Sequence, residues 1–276
     1  MRVSGFTIVR NAIALEYPLV ESILSILPIV DEYIVLVGRS EDGTLDLLRS
    51  IGSPKIRIVE NEWKDSVQKS GFFFRDLTNL ALQECTGDWA FYLQADEVIH
   101  EDDLPELQRL MRENLGNPVI RAIQLRYRHF YGDYRTMNPY FYRKAIRIIR
   151  NNGQLVSTAD ACGFALKGDP TGQNLQDGPP ENFLKTRIFI HHYSWVKNPE
   201  KCRTKLNTML KHYHGDKAPV YERFDYDLTM TIRFLGTHPK VMEGRIAEYR
   251  SPLPPHRSRW LKPSFYLYLL RHGYKG

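Results

Sequence analysis

Cysteine is scarce. Cys85, Cys162 and Cys202 are the only three in 276 residues, and no two stand in C-x-x-C spacing. That excludes a cysteine-based zinc ribbon and a disulfide scaffold, and it fits a reducing compartment. No apolar run approaches the ~20 residues that a membrane-spanning helix needs. The longest candidate, residues 23–30, contains Pro28 and stops at Asp31. Residues 6–9 are too short for a signal-peptide core and are cut by Arg10-Asn11. Internal repeats and low-complexity tracts are missing. So is any RNP, helix-turn-helix or zinc-finger pattern, which argues against nucleic acid as a partner. The expectation is a cytoplasmic chain, soluble or held peripherally on the inner face of the cell membrane.

What is present is ordinary globular composition, 42% hydrophobic and 25% charged, ample for a sizeable core. A net charge of +6 and a pI near 9.1 suit an anionic partner without naming one. The first hundred residues alternate strand and helix. Residues 5–9, 33–37 and 55–60 read as strands, and residues 18–27 and 45–50 as helices. Phe73, Leu77, Leu80 and Ala81 fall on one face of a third helix, ended by Thr86-Gly87. This order predicts an α/β fold with a mainly parallel, helix-covered sheet.

The middle changes character. Residues 122–129, 144–150 and 185–192 read as strands interleaved with charge. Between the last two, residues 168–180 are rich in Gly, Pro, Asn and Asp, which predicts a long loop able to serve as a lid. From about Asn198 the pattern is helical, with Lys and His enriched. The tail, residues 251–276, carries Arg257, Arg259, Lys262, Arg271 and Lys275 without an acid. Trp260 and residues 265–270 interleave aromatics and leucines, and Pro263 is placed to open a short helix. Such a helix either lies on an anionic membrane or docks on the core or on a second copy of the chain, a homodimer.

The strongest single signal is Trp89-Ala90-Phe91-Tyr92-Leu93-Gln94-Ala95-Asp96-Glu97. An apolar, aromatic run reads as a buried strand, and the two acids that end it should be exposed at its C-terminal tip. In open α/β sheets that edge binds ligands. Carboxylates there suit a hard divalent cation and, through it, a phosphate.

Ser40-Glu41-Asp42-Gly43-Thr44 stands at the tip of the second strand, Asn79 on the third helix, and Gly87-Asp88-Trp89 before the Ala95-Asp96-Glu97 end. At these separations the chain resembles the family-2 glycosyltransferases of the GT-A fold, and among them the bacterial lipopolysaccharide-core and cell-surface glycan type. The resemblance spans roughly residues 5–215 and is specific in the first hundred. It implies a nucleotide-sugar donor, a UDP-, GDP- or dTDP-sugar, and Mn²⁺ or Mg²⁺ held at Asp96. The acceptor is expected to be a hydroxyl of a cell-surface glycan or a lipid-linked precursor, with inversion. Arg10, Asn11, Asp42, Arg75, Asn79, Gln94, Ala95 and Asp96 are carried over to the donor side.

The chain departs from the pattern at Gln94, where an acid is expected, at Val37-Gly38, where an Asp commonly contacts nucleobase or ribose, and at Thr78 before Asn79. In residues 188–193, strand alternation lets one histidine face the site. His192 is the expected metal or diphosphate contact, with His191 second. For the base that deprotonates the acceptor, Asp160 is preferred to Glu181, and Glu97 is a carboxylate behind the metal ligand or facing the acceptor. Arg143, Lys144, Arg147 and Arg150 form a basic strand, either a charged edge or an anion cradle. The expected division is a catalytic domain, residues 1–197, with a nucleotide half (1–100) and an acceptor half (101–197), and a helical extension, residues 198–276. The rivals are a catalytically degenerate nucleotide-binding protein and a membrane-tethering module.

Overall fold

The structure is a computed structural model that describes residues 1–63, 72–253 and 262–272. Arg257, Arg259, Trp260 and Lys275, the outer cations and indole expected of the tail, lie outside the described residues. The elements in chain order are β1 (Val3–Val9), α1 (Leu19–Ile26), β2 (Glu32–Gly38), α2 (Thr44–Ser50), β3 (Ile56–Asn61), α3 (Phe72–Gln83), β4 (Trp89–Tyr92), β5 (Glu97–Ile99) and α4 (Leu104–Glu113). They continue with β6 (Ala122–Tyr131), β7 (Asp133–Met137), β8 (Lys144–Arg150), β9 (Leu155–Thr158), β10 (Gly163–Leu166), β11 (Phe183–Trp195), α5 (Pro199–His214), β12 (Ile232–Arg233), α6 (Glu243–Glu248) and α7 (Pro263–His272).

The main sheet runs β12-β7-β6-β8-β4-β1-β2-β3, with β11 paired to β6 and β5. The half built from β4, β1, β2 and β3 is parallel, as expected. The other half is mixed: β8 is antiparallel to β4 and β6, and β7 to β6, while β11 runs parallel to β6. The tight turn from β6 to β7 at Gly132, with φ of 79°, makes antiparallel pairing the only short route there.

β2 shows why these residues form an inner strand. Val35 and Val37 point to the side covered by α1, where Leu19, Ile23 and Ile26 meet them, together with Leu107 and Met111 of α4. Ile34 and Leu36 point to the other side, against Leu77, Ala81 and Leu82 of α3. Both faces are apolar because both are covered.

The basic strand is not a solvated edge. β8 lies inside the sheet between β4 and β6. Arg147 is 1% exposed, and Arg150 donates to the carbonyls of Ile120, Leu115, Asn114 and Asn117, bracing the end of α4.

Beyond α5 the expected helical extension is mostly irregular. Residues 218–231 hold no helix, and β12 instead widens the sheet by pairing with β7. This stretch wraps back onto the sheet. Tyr249 Oη donates to the carbonyls of Gly132 and Lys197, Arg245 pairs with Glu21 of α1 at 2.8 Å, and Met242 is packed among Phe130, Tyr134 and Tyr193. Among the described residues no helix is long and apolar enough to cross a membrane.

Candidate active site

β4 stops at Tyr92, residues 93–96 turn, and Glu97 opens β5. Both acids of the strand tip are buried, Asp96 at 6% and Glu97 at 0% exposure. The expectation that they would be exposed fails for a physical reason: each has a cation, and a paired buried carboxylate is tolerated where a lone one is not. Glu97 accepts from Arg147 Nη2 at 2.8 Å and Nε at 2.9 Å, from Tyr127 Oη at 2.5 Å and from the backbone N–H of Gln94 at 3.1 Å. All its acceptor capacity is directed inward, so it supports the turn and faces no acceptor.

Asp96 is bound through Oδ2 to Lys205 Nζ at 3.0 Å, while Oδ1 faces His192 Nε2 at 3.6 Å. Burial by itself would raise this carboxyl, but Lys205 and His192 outweigh it and hold the group well below the usual carboxylate value. His192 stands in β11 opposite His129 of β6, and their Nδ1 atoms are 2.8 Å apart. His129 Nε2 lies 2.6 Å from the carbonyl of Tyr142 and must carry the proton there. Burial, reinforced by His192, pushes His129 down to about 3, so it is neutral and its Nδ1 accepts. His192 Nδ1 therefore donates, and its Nε2 is left to face Asp96 Oδ1. Two acceptors meet at that point unless a cation or a proton lies between them. His191, the second choice, points to the opposite face, 0% exposed and 3.2 Å from Arg128.

The loop after β1 forms the opposite wall. Asn11 and Glu16 adopt positive φ, 54° and 51°. Asp42 Oδ2 accepts from the N–H of Ala14 at 2.7 Å, and Oδ1 from the N–H and hydroxyl of Thr44. Thr44 Oγ1 in turn accepts from the N–H of Ala12. Asp42 thus staples this loop to the start of α2. Arg10 and Asn11 line the cleft with Gln94, Ala95, Asp96 and His192. Lys197 Nζ donates to the carbonyl of Glu16 and Lys201 Nζ to that of Ala14, tying the same loop to the region of α5.

Three donor-side expectations are used elsewhere, the first being Asp42, which is spent on this staple and lies outside the cleft lining. Asn79 pairs with the backbone of Ser157, accepting at 2.7 Å, and so anchors β9. Arg75 pairs with Asp76 and lies over the Phe72 ring, outside the cleft lining. At the end of β2, a Cβ on Gly38 would stand 2.7 Å from the indole of Trp63, which lines the cleft. An indole fills the space where an Asp was expected.

Asp160 lies on the far side, between Ala159 and Ala161, whose φ values of 50° and 63° are costly for residues with a Cβ. It lines the cleft and accepts from Tyr213 Oη of α5 at 2.6 Å. Glu181 is exposed and outside the cleft lining. Arg10, Asn11, Gln94, Asp96, His192 and Asp160 therefore share one cleft of about 2000 Å³. Lys205, His129, Tyr213 and Trp63 line it too. Their partners are 53 to 109 residues away in the chain wherever a contact pairs them with the expected residues. The Lys and His enrichment after Asn198 was the one visible trace of α5's part.

A family model described as glycosyl transferase family 2 matches residues 6–167. No curated protein matches. Among solved structures, TarS of S. aureus is 17% identical, with a TM-score of 0.36 over 47% of this chain and 22% of that one. The chain thus spans well under two thirds of that protein. Mannosyl-3-phosphoglycerate synthase from Rubrobacter xylanophilus is 16% identical, with a TM-score of 0.43 over 77% of this chain and 72% of that one. Glucosyl-3-phosphoglycerate synthase from Mycobacterium tuberculosis, in complex with Mn²⁺, UDP and glucosyl-3-phosphoglycerate, is 16% identical, with a TM-score of 0.46 over 76% of this chain and 79% of that one. The family match takes in more than half of the chain, from β1 through β10, including the strand tips that carry Arg10 and Asp96 and the β9–β10 turn that carries Asp160: the chain belongs to glycosyl transferase family 2 and has the GT-A fold.

Proposed function

We propose that this protein transfers a sugar from a nucleoside-diphosphate donor to an acceptor hydroxyl, with inversion, and that Asp96 and His192 serve the donor while Asp160 serves the acceptor. The observation that carries the reading is that these groups face one cleft from two sides, with the polar loop of Arg10 and Asn11 as its donor-side wall.

The family implies a divalent cation, Mn²⁺ or Mg²⁺, and the side chains fit one. Asp96 Oδ1 and His192 Nε2, an oxygen and a nitrogen able to serve as ligands, face each other at 3.6 Å in the cleft lining. Such ions are commonly held by one or two protein ligands, with the rest of the shell from substrate phosphate and water. When bound, the ion supplies charge stabilisation for the departing diphosphate. Asp160 takes the proton of the acceptor hydroxyl, and Tyr213 Oη fixes the direction of its carboxylate. Trp63, at the tips of β2 and β3, offers a ring face to the nucleobase.

The acceptor is read as a hydroxyl of a cell-surface glycan or lipid-linked precursor. Leu267 and Leu270 of α7, 58% and 84% exposed and followed by Arg271, support peripheral contact with an anionic bilayer.

The test is thermal shift with UDP, GDP and dTDP, each with and without Mn²⁺, followed by transfer assays. One diphosphate should raise the melting temperature. Asp160→Asn should retain that shift and lose turnover by about 10²–10⁴-fold. The absence of any shift, with or without Mn²⁺, would overturn the reading.

A further inference from the structure

Lys205 is the side chain that the family pattern does not account for. It comes from α5, beyond the matched segment, and is 8% exposed. Its ammonium donates to Asp96 Oδ2 at 3.0 Å and to Ser194 Oγ. It sits 4.7 Å from the centroid of the Tyr17 ring and 5.5 Å from that of Trp195. A carboxylate, a hydroxyl and two aromatic faces make a dedicated cation cage. An ion pair that served stability alone would have no need of the carboxylate whose other oxygen faces His192 in the cleft.

We propose that Lys205 is a resident counter-ion which neutralises Asp96 before the donor arrives, so that a free divalent cation binds the site poorly while a nucleoside diphosphate can enter without one. This rests on the donor reading above. The charge balance is the argument. Asp96 alone would attract a divalent ion and repel a diphosphate; Asp96 with Lys205 does neither strongly. A fixed positive charge on the same carboxylate opposes a metal on Oδ1, and the cleft is buried enough for that opposition to be weakly screened by salt. The diphosphate brings the negative charge that lets the metal join, so metal and donor bind as a pair.

One substitution should move two affinities in opposite directions, which loss of packing cannot do. The probes are Mn²⁺ alone, followed by electron paramagnetic resonance, and UDP, GDP and dTDP in chelator without metal, followed by calorimetry. Lys205→Met should tighten Mn²⁺ about tenfold or more and weaken the bound diphosphate by a similar factor. Lys205→Arg, which keeps the charge, should leave both within about threefold, and Lys205→Met with Asp96→Asn should lose the tightened Mn²⁺ site. Lys205→Gln replaces Lys205→Met if the latter does not fold, with the same opposed shifts expected. Mn²⁺ affinity that is unchanged or lowered in the neutral variant, or tightened equally without Asp96, overturns the proposal. The Mn²⁺ arm needs no donor. If the parent binds no diphosphate, the transferase reading fails while that arm still decides the role of Lys205.

Discussion

Asp96 and Glu97 are neighbours in the chain, yet they hold different cations, Lys205 and Arg147. Glu97 is paired face to face with Arg147 in a site from which water is excluded. Glu97→Gln leaves a buried guanidinium without its counter-charge and should cost about 3–5 kcal/mol in a denaturant titration. Asp96→Asn should abolish Mn²⁺-dependent nucleotide binding, and it will also lower stability, because Lys205 loses its partner. A strand-tip acid looks free of the core in sequence; burial and a lysine 109 residues away make it part of the core. Lys197 carries a pH prediction. Burial, reinforced by Lys205, pushes it from 10.5 down to about 7. The unfolded chain then binds more protons between about 7 and 10.5, so stability should rise with pH across that window and gain nothing from this group below it. The slope is at most ~1.4 kcal/mol per pH unit for one group. Lys197→Met should flatten the change in melting temperature between pH 7 and 9; an unaltered profile would remove Lys197 as its source.

At the scale of elements, α5 joins the two ends of the cleft. Its N-cap Asn198 accepts from the N–H of Lys201 and starts the helix beneath the β1 loop. Lys205 then meets Asp96, and Tyr213, two turns on, meets Asp160. Tyr213→Phe removes the donor that orients the base. It should lower kcat by about tenfold while leaving the donor KM unchanged, since a net hydrogen bond to a charged group contributes ~1.5–3 kcal/mol only where its geometry is used. An equal rise in donor KM would mean that the helix itself had moved. The parallel half of the sheet was legible in the sequence because the short apolar run at residues 33–37 and the helical face of residues 19–27 are local patterns. The antiparallel insertion of β8 and the reach of α5 were not, because pairing partners leave no periodicity. The 168–180 loop shows the same limit. Its composition marks a loop, but Leu175 is seated in the core beside Phe164 and Phe183 while Gln176 lines the cleft. Closure on donor binding is therefore expected to slow amide exchange outside residue 175 more than at it.

For the whole molecule, the C-terminal segment seats one face on the core and turns another to solvent. α7 is held at its start: Phe265 is fully buried, and Lys262 Nζ donates to the carbonyl of Leu228. Deleting the tail would empty the Phe265 seat and confuse loss of packing with loss of contact. Leu267 and Leu270 are the better probes, because they are exposed and leave Phe265 in place. If α7 lies on an anionic bilayer, Leu267→Glu with Leu270→Glu removes apolar insertion and adds two repelling charges, each opposing the surface by ~1 kcal/mol. Binding to vesicles with phosphatidylserine should then fall at least about tenfold, and what remains should weaken with salt. Nucleotide binding should not change, since Arg10, Asp96 and His192 lie in a cleft that none of the described side chains of α7 lines. Vesicle binding that survives the double substitution assigns α7 no part in it. A parent that binds no vesicles leaves a water-borne glycan as the acceptor class, and the exposed leucines then need a protein partner.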